Sequence, residues 1–148
     1  MNADIVNIEG LFQEQISYRI PQFQRPYAWG EEIQWKPLWD DVRSVAERFL
    51  NKKMRPHFMG AIVLQLQQSN TGEVTKRLVI DGQQRLTTLQ LLIKATEQVF
   101  QSQDDTTRAT RLSKLTTNLE SHWGGDNTNE IQTPVSYTHL TLPTTPYV

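Results

Sequence analysis

The sequence predicts an α/β fold of the α+β kind, in which a strand hairpin is surrounded by helices. Three observations predict it. The apolar run Leu78-Val79-Ile80, entered from Arg77, breaks at Asp81-Gly82 and passes directly into a helical pattern from Gln83. A second apolar run, Ala61-Ile62-Val63-Leu64, precedes it across the turn residues Ser69-Asn70-Thr71-Gly72, so the two form an antiparallel hairpin. On either side, apolar residues recur at helical rather than alternating spacing.

In chain order, Ile5, Ile8, Leu11, Phe12 and Ile16 suit a short helix followed by an extended piece. Tyr18 to Pro21 is extended, because a residue before proline is pushed out of the α region. Gln22 to Trp29 is an aromatic loop closed by Gly30. A helix begins at Glu31, with two acids in its first turn where the dipole favours them. Pro37 divides off the main helix, whose stripe is Leu38, Val42, Val45, Ala46, Phe49 and Leu50. Residues 51–56 form a basic turn, and Phe58 to Leu66 reads as a strand buried on both faces. After the strand over 74–80, a long helix carries Leu86, Leu89, Leu92, Ile93, Thr96, Val99 and Phe100 on one stripe. A further helix, capped by Asp104 or Asp105, fits residues 104–119. Ser121 to Thr133 is loop.

The bulk numbers bound the function. A chain of 148 residues, 37% hydrophobic and 21% charged, is large enough for one real core. Its net charge of −1 supplies no overall attraction to nucleic acid, so any such contact depends on a local patch. The absence of cysteine excludes disulfides, thiol catalysis and cysteine-ligated metal, and suits a reducing cytoplasm. Residues 1–12 lack the succession of a signal peptide, and the apolar runs are too short to span a bilayer.

Residues 135–144 resemble one reading frame of a transposase-type sequencing adapter, so residues 135–148 are expected to be a non-native tail on an N-terminal fragment of a longer protein. The expected division is a domain core over 1–103, an incomplete helical region over 104–134, and that tail.

The chemistry centres on Asp81-Gly82-Gln83-Gln84-Arg85. One reading is a capping box, with Asp81 as N-cap and Gln84 reaching back. The other is an anion site, since a helix start presents N–H groups without intrahelical partners and the positive end of a dipole. The capping box leaves Arg85 unexplained, a cation where the dipole disfavours one, and says nothing of a second polar cluster, Gln24-Arg25.

Three blocks together, Ile20 to Trp29, His57 to Leu64 and Val79 to Leu89, resemble the signature blocks of the DUF262 family, the N-terminal domain of GmrSD-type, modification-dependent restriction systems. The resemblance covers roughly Tyr18 to Ala95. It implies a small mixed sheet with flanking helices, similar to the ParB and sulfiredoxin superfamily, with a strand-turn-helix phosphate site over residues 78–95. It also implies a bacterial cytoplasmic module that binds or hydrolyses NTP with Mg²⁺. That module would regulate cleavage of modified phage DNA by an HNH-type nuclease domain in cis or in trans, with homo-oligomer formation open and no membrane partner. His122 and His139 stand alone, so this chain is not expected to cut DNA.

Phosphoryl transfer needs positioning and charge neutralisation above all. On that basis Arg85 and Arg25 are expected to bind phosphate oxygens through the guanidinium fork. Gly82 would let backbone approach the phosphates, and Gln83 and Gln84 would cradle them. Asp81 would hold Mg²⁺ or orient water, making Asp81, Gln84 and Arg85 the expected catalytic group. Gln24, Gln83 and Gln84 would orient water or read a base edge, and Thr87 and Thr88 would add hydroxyl contacts or simply fill the helix face. His57 reads as a strand-edge residue, and Tyr27, Trp29, Trp35 and Trp39 as core rather than as a base-stacking cluster. The Lys52-Lys53-Met54-Arg55 turn reads as solvated, with a DNA-backbone contact as the sharper alternative. A non-hydrolysing ParB-like nucleotide or DNA switch is the alternative function, and a plain interaction domain the third.

Overall fold

The computed structural model describes residues 3–12, 16–21, 23–25, 27–53, 55–68, 71, 75–117 and 135–137. Most of the expected turn over 69–72, the loop over 121–133 and both His122 and His139 lie outside the described residues. The chain forms two compact units, residues 1–24 with 62–148, and residues 25–61.

In the first unit a short helix α1 (Ile8–Leu11), capped by Asn7, leads to strand β1 (Ile16–Ile20). The hairpin follows as β2 (Val63–Leu66) and β3 (Thr75–Asp81), then the long helix α3 (Gln83–Ser102) and α4 (Thr106–Thr116). A three-residue strand β4 (Val135–Tyr137) comes from the adapter-like stretch. The sheet is mixed, in the order β2-β3-β1-β4: β1 runs parallel to β3 and to β4, and β2 antiparallel to β3. A small mixed sheet with helices is therefore the observed fold class.

β1 is β-branched and aromatic, as a strand between two neighbours favours. Ile16, Tyr18 and Ile20 are buried on one face and Ser17 on the other. Tyr18 meets Phe12 edge to face at 6.5 Å and donates its hydroxyl to the Leu11 carbonyl, tying α1 to the sheet. Burial pushes the Tyr18 phenol pKa up, with Arg77 beside it pulling partly back. Phe12, Val79, Leu86, Leu89, Ile93 and Ala109 complete the core between sheet, α3 and α4.

Two expectations about these elements are corrected. The run over 61–64 is not buried on both faces: β2 starts at Val63, is an edge strand with β3 as its neighbour, and leaves Val63 38% and Leu66 71% exposed. Phe58 precedes the strand and is 83% exposed. On α3, Thr96 and Val99 lie outside the buried stripe, and Glu97 occupies it instead, 2% exposed. Its carboxylate accepts from Lys94 Nζ at 2.9 and 2.8 Å, from Gln101 Nε2 at 3.0 Å and from Thr116 Oγ1 at 3.4 Å. A buried charge held by four donor contacts joins α3 to α4. Asp105 is the cap that α4 uses, accepting from Arg108 N at 3.0 Å.

The second unit is one π-helical turn, Glu31–Trp35, continued by α2 (Lys36–Leu50) with Pro37 at its start, as expected. None of the α2 residues is fully buried, and Phe49 and Leu50 of the expected stripe are exposed. Among the described residues of this unit there is no strand for α2 to lie on. The aromatic residues correct the expectation of a core: Trp35 is 44% and Trp39 56% exposed. Trp35 donates its indole N–H to the Tyr27 hydroxyl at 2.7 Å, so the pair is held by a polar contact at the surface. His57 is no strand-edge residue either: it lies ahead of β2, with Nε2 3.5 Å from Asp41 Oδ2 on α2.

Candidate functional site

The sheet itself produces the turn at Asp81-Gly82. Pairing between β1 and β3 stops at Arg19 opposite Leu78, so beyond that point β3 has β2 alone as a ladder partner. Val79 is buried, whereas Ile80 and Asp81 rise out of the core. Beyond β1, Gln24 N donates to Pro21 O at 3.1 Å. The Gln24 carboxamide then donates to the Ile80 carbonyl at 3.1 Å. A side chain thus continues the ladder that the backbone has dropped, and Gln24 is brought to the peptide next to Asp81.

Gly82 has φ 92° and ψ 11°, a left-handed conformation that glycine adopts without a Cβ penalty. It is the N-cap of α3, and the first helical hydrogen bond is Leu86 N to Gly82 O at 3.0 Å. The capping-box reading is therefore corrected: the cap carries no side-chain hydrogen bond, and Asp81 Oδ1 accepts instead from Gly82 N at 2.8 Å. The left-handed glycine shifts the helix start one residue along, which places Arg85 at the third helical position. Asp81 is exposed at the mouth of the turn, and Arg85 is half-buried.

Gln83 and Gln84 are 5% and 6% exposed, and Thr87 and Thr88 each 7%. Thr87 Oγ1 donates to Gln83 O at 2.9 Å and Thr88 Oγ1 to Gln84 O at 2.8 Å. Both hydroxyl hydrogens are thereby committed inside the helix. Arg25 opens the second unit and is exposed there; of the expected Gln24-Arg25 pair, Gln24 is the member positioned at the turn.

The model of the GmrSD restriction endonuclease N-terminal domain matches residues 8–141. The chain belongs to that family. The match takes in α1 through β4, and with them the turn, Gln24 and α4. None of the curated proteins compared with the chain matches it.

In this GmrSD N-terminal domain, no group of three or more His, Asp or Glu among the described residues could hold a metal ion. Asp81 is a single exposed carboxylate. That donor set suits Mg²⁺ arriving with a polyphosphate, since Mg²⁺ takes one or two carboxylates and fills its shell with phosphate oxygens and water. No helix among the described residues is long and apolar enough to cross a membrane. The residue that sequence reasoning passed over is Glu97. The spacing Leu86, Ile93, Glu97 continues the buried stripe, so helical periodicity alone was the signal.

Proposed function

We propose that the domain binds an NTP through the Asp81–Arg85 turn, hydrolyses it, and so regulates DNA cleavage by the nuclease part of a modification-dependent restriction system. The observation that carries this reading is the helix start whose cap is a left-handed glycine rather than a carboxylate, with Asp81 and Arg85 on either side and Gln24 fixed beside it. A helix start of this kind favours an anion through its dipole and its backbone N–H groups.

In the proposed mechanism, Gly82 gives the phosphates close access to backbone, and the Arg85 fork takes non-bridging oxygens. Gln83 and Gln84 shape the cradle, and Thr87 and Thr88 hold its floor through their bonds to those two carbonyls. Mg²⁺ bound with the nucleotide would neutralise charge on the phosphates, with Asp81 as its protein ligand. Water adds to the γ-phosphorus, the bond to the β-γ bridging oxygen breaks, and NDP, inorganic phosphate and a proton leave. Gln24 and Gln84 are the groups that orient that water. The partners of the whole protein are, on this reading, modified DNA and an HNH-type nuclease in cis or in trans, in the bacterial cytoplasm.

A second reading has its own support. Gln83 and Gln84 are almost wholly buried, which suits packing more than water activation, and so favours a switch that binds nucleotide without turnover. Calorimetric titration with each NTP, run beside a phosphate-release assay with Mg²⁺, separates the two. Release that is lost in Asp81→Asn supports hydrolysis; tight binding with no release supports the switch; no binding of any NTP contradicts both.

A further inference from the structure

The second unit carries a cleft of about 260 Å³ at the C-terminal end of α2, lined by Val45, Arg48, Phe49, Lys53, Arg55 and Pro56. Residues 48–55 contain four cations, Arg48, Lys52, Lys53 and Arg55, and no acid. None of the four has an ion-pair partner among the described residues, whereas neighbouring Arg43 faces Asp40 and Glu47 at 3.8 and 4.0 Å. Arg48 Nε is buried without a hydrogen-bond partner. The Phe49 side chain beside it is 62% exposed.

Helix capping does not account for these charges. The carbonyls of Glu47, Arg48 and Phe49 are already taken by the N–H groups of Asn51, Lys53 and Lys52, at 3.1, 2.9 and 3.0 Å. In that arrangement the residue after the C-cap is left-handed and is usually glycine. Here it is Lys52, with φ 57°. A cation stands where the backbone prefers no side chain, next in sequence to a cleft whose lining includes three more cations and an exposed ring. An acidic peptide would satisfy the charges but makes no special use of a flat exposed ring. Cations that track a backbone, combined with an aromatic face for an unstacked base, are what a single nucleic-acid strand requires.

We propose that this cleft binds a single-stranded nucleic-acid segment, with Arg48, Lys52, Lys53 and Arg55 on its phosphates and a base stacked on Phe49. The proposal does not depend on the nucleotide reading of the Asp81–Arg85 turn, which lies in the other unit. The test is fluorescence anisotropy of a labelled twelve-residue oligothymidylate with the full chain, without NTP, across a salt series. Binding should weaken with salt, with a log-log slope of roughly −2 to −3 for three or four phosphate contacts at about 0.7 each. Phe49→Ala and Lys53→Glu should each weaken it about tenfold while NTP titrations stay as in the wild type.

Lys52→Gly guards against a merely structural effect. It should raise Tm, by roughly 2–4 °C, while weakening oligonucleotide binding. Oligothymidylate binding that is absent, or unchanged in Phe49→Ala and Lys53→Glu, overturns the proposal. So does a duplex that binds as tightly without needing Phe49, or a Glu-rich peptide that displaces the oligonucleotide at lower concentration.

Discussion

Gln24 and Ile80 lie fifty-six positions apart in sequence, yet the Gln24 carboxamide donates to the Ile80 carbonyl at 3.1 Å, one residue before the Asp81-Gly82 turn. The loop after β1 is thereby attached to the tip of β3 where β1 itself no longer pairs. Gln24→Ala should cost about 0.5–1.5 kcal/mol, the usual net worth of such a bond and at the low end for an exposed one. If Gln24 also faces nucleotide, NTP affinity should fall by more than that loss of stability accounts for, which chemical denaturation and calorimetry on one preparation resolve.

Gly82 makes a second prediction. A Cβ at φ 92° is strained whatever lies around it, so Gly82→Ala should destabilise the domain by about 1–2 kcal/mol, read as a lower urea midpoint with an unchanged m-value. A midpoint equal to the wild type's would mean that the turn readily adopts another conformation.

Glu97 is the buried charge on which α3 and α4 converge. Glu97→Ala should cost about 2–4 kcal/mol; the figure is held below that of a fully buried pair because Lys94, 48% exposed, regains water when its partner is removed. Glu97→Gln keeps the shape and part of the hydrogen bonding and should cost less. Urea denaturation of both variants checks the order.

Tyr18 links stability to alkaline pH. Its phenol pKa is raised by burial, so the folded chain holds the proton to higher pH than the unfolded chain. Below the ordinary value of about 10 both states keep the proton and the slope is zero; above it the unfolded chain releases the proton first and stability falls as pH rises. Tyr18→Phe should be less stable than wild type at pH 7 by about 1 kcal/mol, for the lost bond to Leu11. That gap should narrow as pH passes 10. A gap that stays constant from pH 7 to pH 11 would contradict the assignment.

Local signals made much of this fold legible. The hairpin, the helix from Gln83, Pro37 at a helix start, and Asp105 as a cap all follow from periodicity, proline geometry and cap chemistry, which act within a few residues. The errors share a different cause. The apolar run over 61–64 and the ring residues Trp35 and Trp39 are hydrophobic enough for a core, but which hydrophobic segment receives a covering layer is decided by tertiary neighbours. Likewise Asp81 could serve as the cap until the backbone at Gly82 is known, since a left-handed glycine and an aspartate N-cap compete for the same helix start. Gln24 stands out in the sequence as half of a polar pair in an aromatic loop and as part of a family block, but its attachment to Ile80 depends on where β1 stops pairing, which no sequence window contains.

The central claim is that Arg85 sits in the first turn of α3 to meet phosphate rather than to hold the fold. Calorimetric titration of Mg²⁺-NTP into wild type and Arg85→Ala, with Tm measured on both, tests it directly. The account predicts binding to the wild type, a loss of at least about tenfold in the variant, consistent with a charge-assisted bidentate contact, and a Tm changed by no more than about 2 °C. Equal affinity in the two proteins, or a variant that loses its fold instead of its ligand, would contradict it.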